Sequence, residues 1–406
     1  MRNPSPAVRG LLASFALSTL SLPLTAQCDP VAQPGPAAPG PLGTVLALAT
    51  APNGDWIAGG DFTVADRALA NHVARYDGAA WRALGAGVDD TVRAVAIGAG
   101  GDVFVAGDFT TAGGIVANRV ARWDGATWSP LGQGLDARVE ALLVLPNGDL
   151  VAGGLFTTAG GAAASRVARW DGTAWSPLGA GANGPIYALE VLPNGDVLAG
   201  GQFTQAGGQP AVSLARWNGA AWTAVPGLTH PSYVFDLQAL GAGPFAVAGL
   251  LRFGGPFAFD SVGLWNGAQV ASLGLGGLYN ELGVLPNGQL VAGGYTVNGT
   301  TGTVSVYNGT TWTPIGAGAP FRTFAFALAA NGDLLAAGQR FDDHPTTGGA
   351  VARFDGAAWT DVGAAEPARI DAVVAAPAGD VFVGGAFGAI DGVAADNVAR
   401  WDGDAF

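Results

Sequence analysis

Val139-Glu140-Ala141-Leu142-Leu143-Val144-Leu145-Pro146-Asn147-Gly148-Asp149-Leu150-Val151-Ala152-Gly153-Gly154-Leu155-Phe156 is the stretch on which the fold turns. Two apolar runs flank Pro-Asn-Gly-Asp. Asn-Gly accepts the positive φ that a two-residue type I′ hairpin turn demands, so the runs read as paired antiparallel strands. Gly153 and Gly154 close the second strand, where their lack of a side chain lets neighbouring backbones approach. A longer loop follows, Thr157 to Ser165. Arg166 to Trp170 reads as a third strand, Asp171-Gly172 as a turn, and Thr173 to Leu178 as a fourth strand. No segment keeps a helical period beyond one turn.

The same unit recurs along the chain. The third residue of the first turn is Asp55, Asp102, Asp149, Asp196, Pro244, Gln289, Asp333 and Asp380 in succession, about 47 residues apart. An aromatic–Asp/Asn–Gly turn begins at Tyr76, Trp123, Trp170, Trp217, Trp265, Tyr307, Phe354 and Trp401. Five residues beyond each lie Trp81, Trp128, Trp175, Trp222, Val270, Trp312, Trp359 and Phe406. Four short antiparallel strands at this period are the signature of a propeller blade. The predicted fold is therefore all-β, an eight-bladed β-propeller of four-stranded blades over residues 42–406. The last unit stops at Phe406, where its fourth strand would begin. Pro41-Leu42-Gly43 matches Pro130-Leu131-Gly132 of a fourth strand, which predicts that the N-terminal segment completes the eighth blade and closes the ring. The alternative is seven blades or an incomplete ring.

Gly153-Gly154 followed by Trp170 and Trp175, with the diglycine repeated at Gly59-Gly60, Gly200-Gly201, Gly293-Gly294 and Gly384-Gly385, resembles kelch-type blades of galactose-oxidase-like propellers. The pattern is also similar to secreted bacterial and fungal polarity-marker propellers built on Gly-Gly-x-Phe-Thr and Trp-Asp-Gly units. A WD40 repeat would carry a Gly-His element that is missing here. The sialidase Asp-box is one residue short in Asp124-Gly125-Ala126-Thr127-Trp128. The resemblance implies a kelch-like propeller over residues 43–406. The oxidase of that family uses a copper ion, two Tyr, two His and a Tyr–Cys crosslink. Here the only cysteine, Cys28, precedes the repeats, and His72, His230 and His344 fall in different units.

Composition narrows the function classes. The 31 acidic against 18 basic residues give a net charge of −13, and every basic residue is Arg. Nucleic acid and anionic lipid both call for a basic surface, so neither is an expected partner. A single cysteine excludes an intrachain disulfide and a cysteine-ligated metal cluster. Residues 1–26 read as a secretory signal, with Arg2 and Arg9 before an apolar Leu11 to Leu24 and with Ala26 at the cleavage position. Gln27 stands where a lipobox before Cys28 needs a small residue. Residues 27–41 read as a Pro-rich linker. No later stretch reads as a transmembrane helix. The expectation is a secreted, periplasmic or cell-surface monomer.

Comparison among the units separates scaffold from site. The residue before each aromatic–Asp/Asn–Gly turn is Arg75, Arg122, Arg169, Arg216, Leu264, Val306, Arg353 and Arg400. Arg is missing in the two units that also lack the first-turn Asp. This predicts six intrablade pairs, Asp55–Arg75, Asp102–Arg122, Asp149–Arg169, Asp196–Arg216, Asp333–Arg353 and Asp380–Arg400. Such pairs and the repeated Trp are scaffold. Function is expected on the face of the second-to-third strand loops, where units five to seven diverge. The candidate binding residues are Arg252, Phe253, Phe257, Asp260, Tyr279, Glu281, Tyr295, Arg322, Arg340, Asp342, Asp343 and His344. No cofactor, metal site or catalytic constellation is read. Asp89-Asp90 and Asp342-Asp343 do not resemble a calcium loop. A serine-nucleophile elbow is missing, and the carboxylates of the divergent sector form no glycosidase motif. The expected role is an exported, non-catalytic module that binds a protein or a glycan. A structural component of the envelope or extracellular layer is the alternative, and a carbohydrate-active enzyme is the second alternative.

Overall fold

The computed structural model describes residues 41–406 except 66–67, 78–79, 242, 255–259, 276, 286, 296–301, 316–320, 329–333, 341–348, 355–358, 366–368, 376–380, 387–388, 391–392, 396 and 402–406. The signal segment, almost all of the linker, and Phe257, Asp333, Asp342, Asp343, His344 and Asp380 lie outside the described residues.

Each repeat folds as an antiparallel meander in chain order. In the third, Val139–Val144, Leu150–Gly154, Val167–Trp170 and Trp175–Pro177 pair in sequence. Its first turn corrects the type I′ expectation. Gly148 has φ +89°, but Asn147 is not among the described residues with positive φ. Gly148 N–H donates to Leu145 O at 2.9 Å and Leu145 N–H to Asp149 O at 2.8 Å. One left-handed residue at the end of a three-residue loop is the turn with a glycine bulge. Asn147 serves the turn through its side chain, donating to Asp149 Oδ2 at 2.6 Å and accepting from Asp149 N–H at 3.2 Å.

Neighbouring blades pack face to face through apolar side chains. Between blades two and three the core holds Phe104, Val120, Leu131, Leu142, Leu150 and Phe156. Trp175 Nε1 crosses this seam to donate to Leu131 O at 2.7 Å, and Trp128 does the same to Leu84 O at 2.6 Å. Trp170 and Trp175 lie 5.6 Å apart between ring centroids. The repeated tryptophans therefore serve blade packing. Buried indole N–H groups normally carry such a partner.

Seven blades hold a four-strand meander, the last built from Phe321–Leu328, Leu334–Arg340, Gly349–Phe354 and Trp359–Ala365; Ala68–Leu69 adds to the first sheet, and Ala389–Ile390 and Val393–Ala394 extend the seventh. The described residues of the eighth repeat form a three-stranded sheet of Arg369–Ala375, Val381–Ala386 and Val398–Trp401. The seven full blades match the alternative count, not eight full blades. Among the described residues, the N-terminal Pro41 and Leu42 do not supply an outer strand to the eighth sheet. Pro41 and Leu42 run on into Pro41–Thr50 and pair with Ala65 and Val64 of the first blade. Their ladder positions are already taken there. The three-stranded sheet instead closes the round by packing: Ala372, Phe382 and Val398 share one core with Val45, Leu48 and Phe62 of blade one. The first strands of successive sheets touch in a complete round, which makes them the innermost layer. The result is a β-propeller, with no helix among the described residues.

Candidate functional site

Every first strand carries a β-bulge at the same register. The ladder with the second strand slips between Val45 and Ala47, Val92 and Ala94, Val139 and Ala141, and Ile186 and Ala188. It slips again between Val234 and Asp236, Tyr279 and Glu281, Thr323 and Ala325, and Ile370 and Ala372. The extra residues are Leu46, Arg93, Glu140, Tyr187, Phe235, Asn280, Phe324 and Asp371. Val or Ile precedes and Ala follows in most units, with Tyr279, Thr323, Asp236 and Glu281 as the exceptions, whereas the bulged residues themselves span every side-chain class. A bulge re-aims its residue and often sits beside a site. Since first strands are innermost, the eight positions ring the inner mouth of the propeller. No motif marks them in the sequence. The signal that finds them is variability at one position inside an otherwise repeated strand.

One arc of the mouth is ionic. Asp108, just after the second strand of blade two, accepts from Arg93 Nε at 2.7 Å within its blade. It also accepts from Arg138 Nε at 2.6 Å, across the seam to blade three. Arg138 Nη1 lies 4.0 Å from Glu140, whose side chain is buried. Burial opposes charge on Asp108, but the hydrogen bonds and charges of Arg138 and Arg93 outweigh it and hold the carboxyl below its ordinary value.

The adjoining arc is aromatic. The rings of Tyr187 and Phe235 lie 6.3 Å apart across the seam between blades four and five, and Tyr233 stacks on Phe235 at 6.0 Å. All three are half-buried. Gln202 Nε2 donates to the Tyr233 hydroxyl at 2.8 Å.

Outside the mouth, the loops on this face are pinned by one side chain each. Asp136 Oδ1 accepts from Thr157 N–H and Thr158 N–H at 2.7 and 2.9 Å, and Oδ2 from the Thr157 hydroxyl at 2.6 Å. Asp89 holds Thr110 and Thr111 in the same way, and Asn183 holds Thr204 and Gln205. Asp89 is thus engaged with its own loop. Among the described residues no group of three or more His, Cys, Asp or Glu is placed to hold a metal ion.

The described members of the divergent sector are spread over blades five, six and seven. Phe253 packs against the core of blades four and five. Tyr279 is buried in the core between blades five and six, and Glu281 is 2% exposed. Asp260 accepts from Gly274 N–H at 3.0 Å and from the Ser272 hydroxyl, which ties down its own strand end. Arg252 N–H donates to Ser232 Oγ at 3.0 Å. Arg322 stands opposite Gln339 and Arg340 opposite Phe321 in the seventh blade, and Tyr295 lies opposite Leu278 in the sixth.

The repeated Asp and Arg meet in four blades. Arg122 Nη2 lies 2.8 Å from Asp102 Oδ2, and Arg169 Nε donates to Asp149 Oδ2 at 2.6 Å. Arg75 pairs with Asp55 and Arg216 with Asp196. Arg353 stands opposite Leu335, and Arg400 opposite Phe382, while Asp333 and Asp380 lie outside the described residues. The guanidinium groups are nearly half exposed, so each pair contributes only about 0–1 kcal/mol.

No protein-family model and no curated protein sequence matches the chain. Among solved structures it is similar to the WD40 β-propeller domain of Doa1, at 16% identity and TM-score 0.47 over 77% of this chain and 93% of that one. It is similar to virginiamycin B lyase from Staphylococcus aureus, at 12% identity and TM-score 0.46 over 74% and 93%. It is similar to YCF48 bound to a peptide, at 14% identity and TM-score 0.45 over 77% and 91%. At these identities and TM-scores the likenesses carry no argument about function. Among the described residues no helix is long and apolar enough to cross a membrane.

Proposed function

We propose that the chain is an exported, non-catalytic propeller of the kelch-like kind that binds a protein or a glycan at the inner mouth of its ring. The observation that carries this is the bulge register. Eight backbone bulges surround the axis at one register, their residues differ from unit to unit, and those of blades two to five bring an ionic arc beside an aromatic one. Rigid strands present these groups, which favours binding by limiting the ordering they undergo. The basic start and apolar run of residues 1–26 support export, and the absence of a cysteine within the repeats suits any compartment. No carboxylate pair at the mouth is motif-like, so binding without turnover fits the residues best.

The second reading is a structural component of an envelope or extracellular layer. The near-identical loops Thr110-Thr111-Ala112-Gly113-Gly114 and Thr157-Thr158-Ala159-Gly160-Gly161 favour it, since both are fixed by the same aspartate device. One experiment separates the two. The purified protein is immobilised and exposed to a glycan array and to an envelope extract, beside the variants Phe235→Ala and Arg252→Ala. Binding lost with Phe235→Ala and kept with Arg252→Ala supports the mouth. Binding lost only with Arg252→Ala moves the site to the divergent sector. No binding by a protein that melts cooperatively sinks the binding reading.

A further inference from the structure

The chemistry of the mouth narrows the ligand. We infer that, if the mouth is the binding site proposed above, the group it receives is an uncharged sugar ring of an oligosaccharide. Three features of the mouth lead there. The first is the aromatic trio, where Tyr187, Tyr233 and Phe235 offer half-buried ring faces within about one residue's reach of each other. The apolar C–H face of a pyranose stacks on such a platform, and stacking asks only for a flat apolar face. Phe62, Phe109, Phe156 and Phe245 are fully buried by contrast, and the half-buried Trp123, Trp170 and Trp217 are engaged with the neighbouring Trp128, Trp175 and Trp222 of their own blades.

The second is the polar company of those rings. Gln202 borders Tyr233, and Glu140 occupies in blade three the bulge that Tyr187 occupies in blade four. Arg138 lies beside Glu140. The Gln202 carboxamide and the Tyr233 phenol, which both donate and accept, therefore stand at the edge of the platform, with the half-buried Arg138 guanidinium in the adjoining arc. A ring of hydroxyls, each both donor and acceptor, is the ligand that uses such company.

The third is charge. Two guanidinium groups, Arg93 and Arg138, stand against two carboxylates, Asp108 and Glu140, so the arc has no net sign. It selects neither a uronate nor a basic peptide. The whole chain at −13 repels polyanions at long range.

The test is a titration of the purified protein with neutral oligosaccharides of glucose, galactose and mannose, with uronic-acid oligosaccharides and with a mixed peptide library. Heat of binding and saturation-transfer NMR are the readouts. Phe235→Leu keeps the apolar volume but removes the aromatic face, and thermal melting verifies its fold. The expected result is binding of at least one neutral oligosaccharide, with sugar C–H protons receiving the strongest transfer and affinity falling about tenfold in Phe235→Leu. Binding confined to peptides or to uronates overturns the sugar inference and leaves the mouth standing as a site. Neutral-sugar binding that Phe235→Leu does not weaken overturns it as well. No binding of any class by the folded protein overturns both.

Discussion

Arg138 Nε donates to Asp108 Oδ1 at 2.6 Å, and the two residues belong to different blades. Gln202 and Tyr233 hold the same two places in blades four and five and meet at 2.8 Å. The residue after a second strand thus clasps the residue before the next blade's bulge, with an ion pair at one seam and an amide–phenol bond at another. Between blades three and four the equivalent residues are Leu155 and Pro185, which cannot form such a bond. The clasps are therefore features of particular seams and not of the repeat.

Asp108 has a side chain only 16% exposed and accepts from two arginines, so its loss removes the carboxylate from the partly buried Arg93 and leaves Arg138 only Glu140 at 4.0 Å. Asp108→Ala is expected to cost about 2–4 kcal/mol. In a double-mutant cycle with Arg138→Ala, urea unfolding should give a coupling energy of about 1–2 kcal/mol. Additive single effects would show that the seam is held by its apolar core alone.

Glu281 stands at a position that is Ala47, Ala94, Ala141, Ala188, Ala325 and Ala372 in six other units, and Asp236 in the seventh. It is 2% exposed, and its Oε1 has no hydrogen-bond partner. Asp236 Oδ2 accepts from Leu282 N–H at 3.0 Å, which brings a second carboxylate close to the same strand. Burial, and then the charge of Asp236, push the Glu281 carboxyl well above its ordinary value of 4.5. The folded state therefore holds this proton more tightly than the unfolded chain, and stability falls as pH rises above 4.5 toward the folded-state value. Glu281→Ala restores the repeat's own residue and should stabilise the protein by about 1–3 kcal/mol at pH 8. The gain should shrink as the pH approaches 4.5. A lower melting temperature at pH 8 in Glu281→Ala would refute the prediction.

The acid limb has another source. Burial raises the Asp136 carboxyl, but the hydrogen bonds from Thr157 and Thr158 more than offset it and leave the group below 3.8. Asp89 behaves alike with Thr111 and Thr110. Each depressed carboxyl contributes stability that is present above 3.8 and lost as pH falls through its folded value. Asn183 fills the same place in blade four and does not titrate. On acidification the loops of blades two and three should therefore loosen before that of blade four. Amide exchange at Thr111 and Thr158 should accelerate below pH 3.8 relative to Gln205. Equal acceleration at all three would mean that the loops open only by global unfolding.

The scaffold was legible in the sequence because its signals are local and repeated. Asn147-Gly148 marks a turn in any context, and Trp170 with Trp175 returns at a fixed interval. The turn's own geometry was less legible, since one positive φ and two look alike as letters. Blade count depends on where Pro41 and Leu42 find their hydrogen-bond partners, which is a tertiary fact. The mouth was hidden for a similar reason. A bulge is a shift in pairing between two strands, and nothing in Val139-Glu140-Ala141 declares it. The divergent sector drew the eye by composition, but Tyr279 and Glu281 point into blade seams, where divergence reflects repacking and not exposure.

The bulge also explains the diglycine, and this leads to a sharp test. A Cβ on Gly154 would lie 2.3 Å from Arg138 O and 2.9 Å from Val139 Cα, backbone atoms carried inward by the bulge. A Cβ on Gly107, Gly201 or Gly294 would meet the equivalent carbonyl at 2.1 Å. This second glycine is present in all eight units, as Gly60, Gly107, Gly154, Gly201, Gly249, Gly294, Gly338 and Gly385. The first glycine is different. A Cβ on Gly153 would meet the Ile186 side chain at 2.7 Å, and blade two already carries Ala106 in that place. A side chain can shift where a bulged carbonyl cannot. Gly153→Ala should therefore cost about 1 kcal/mol, within the range of mild overpacking, and Gly154→Ala about 3 kcal/mol or more. Because displacing the bulge would move Arg138 and its bond to Asp108 at the mouth, Gly154→Ala should also weaken ligand binding in the fraction that stays folded, whereas Gly153→Ala should leave it unchanged. Urea unfolding of both variants decides the first point, since equal costs would uncouple the glycine from the bulge. Titration of the folded variants decides the second, and unchanged affinity in Gly154→Ala would separate the bulge from the site.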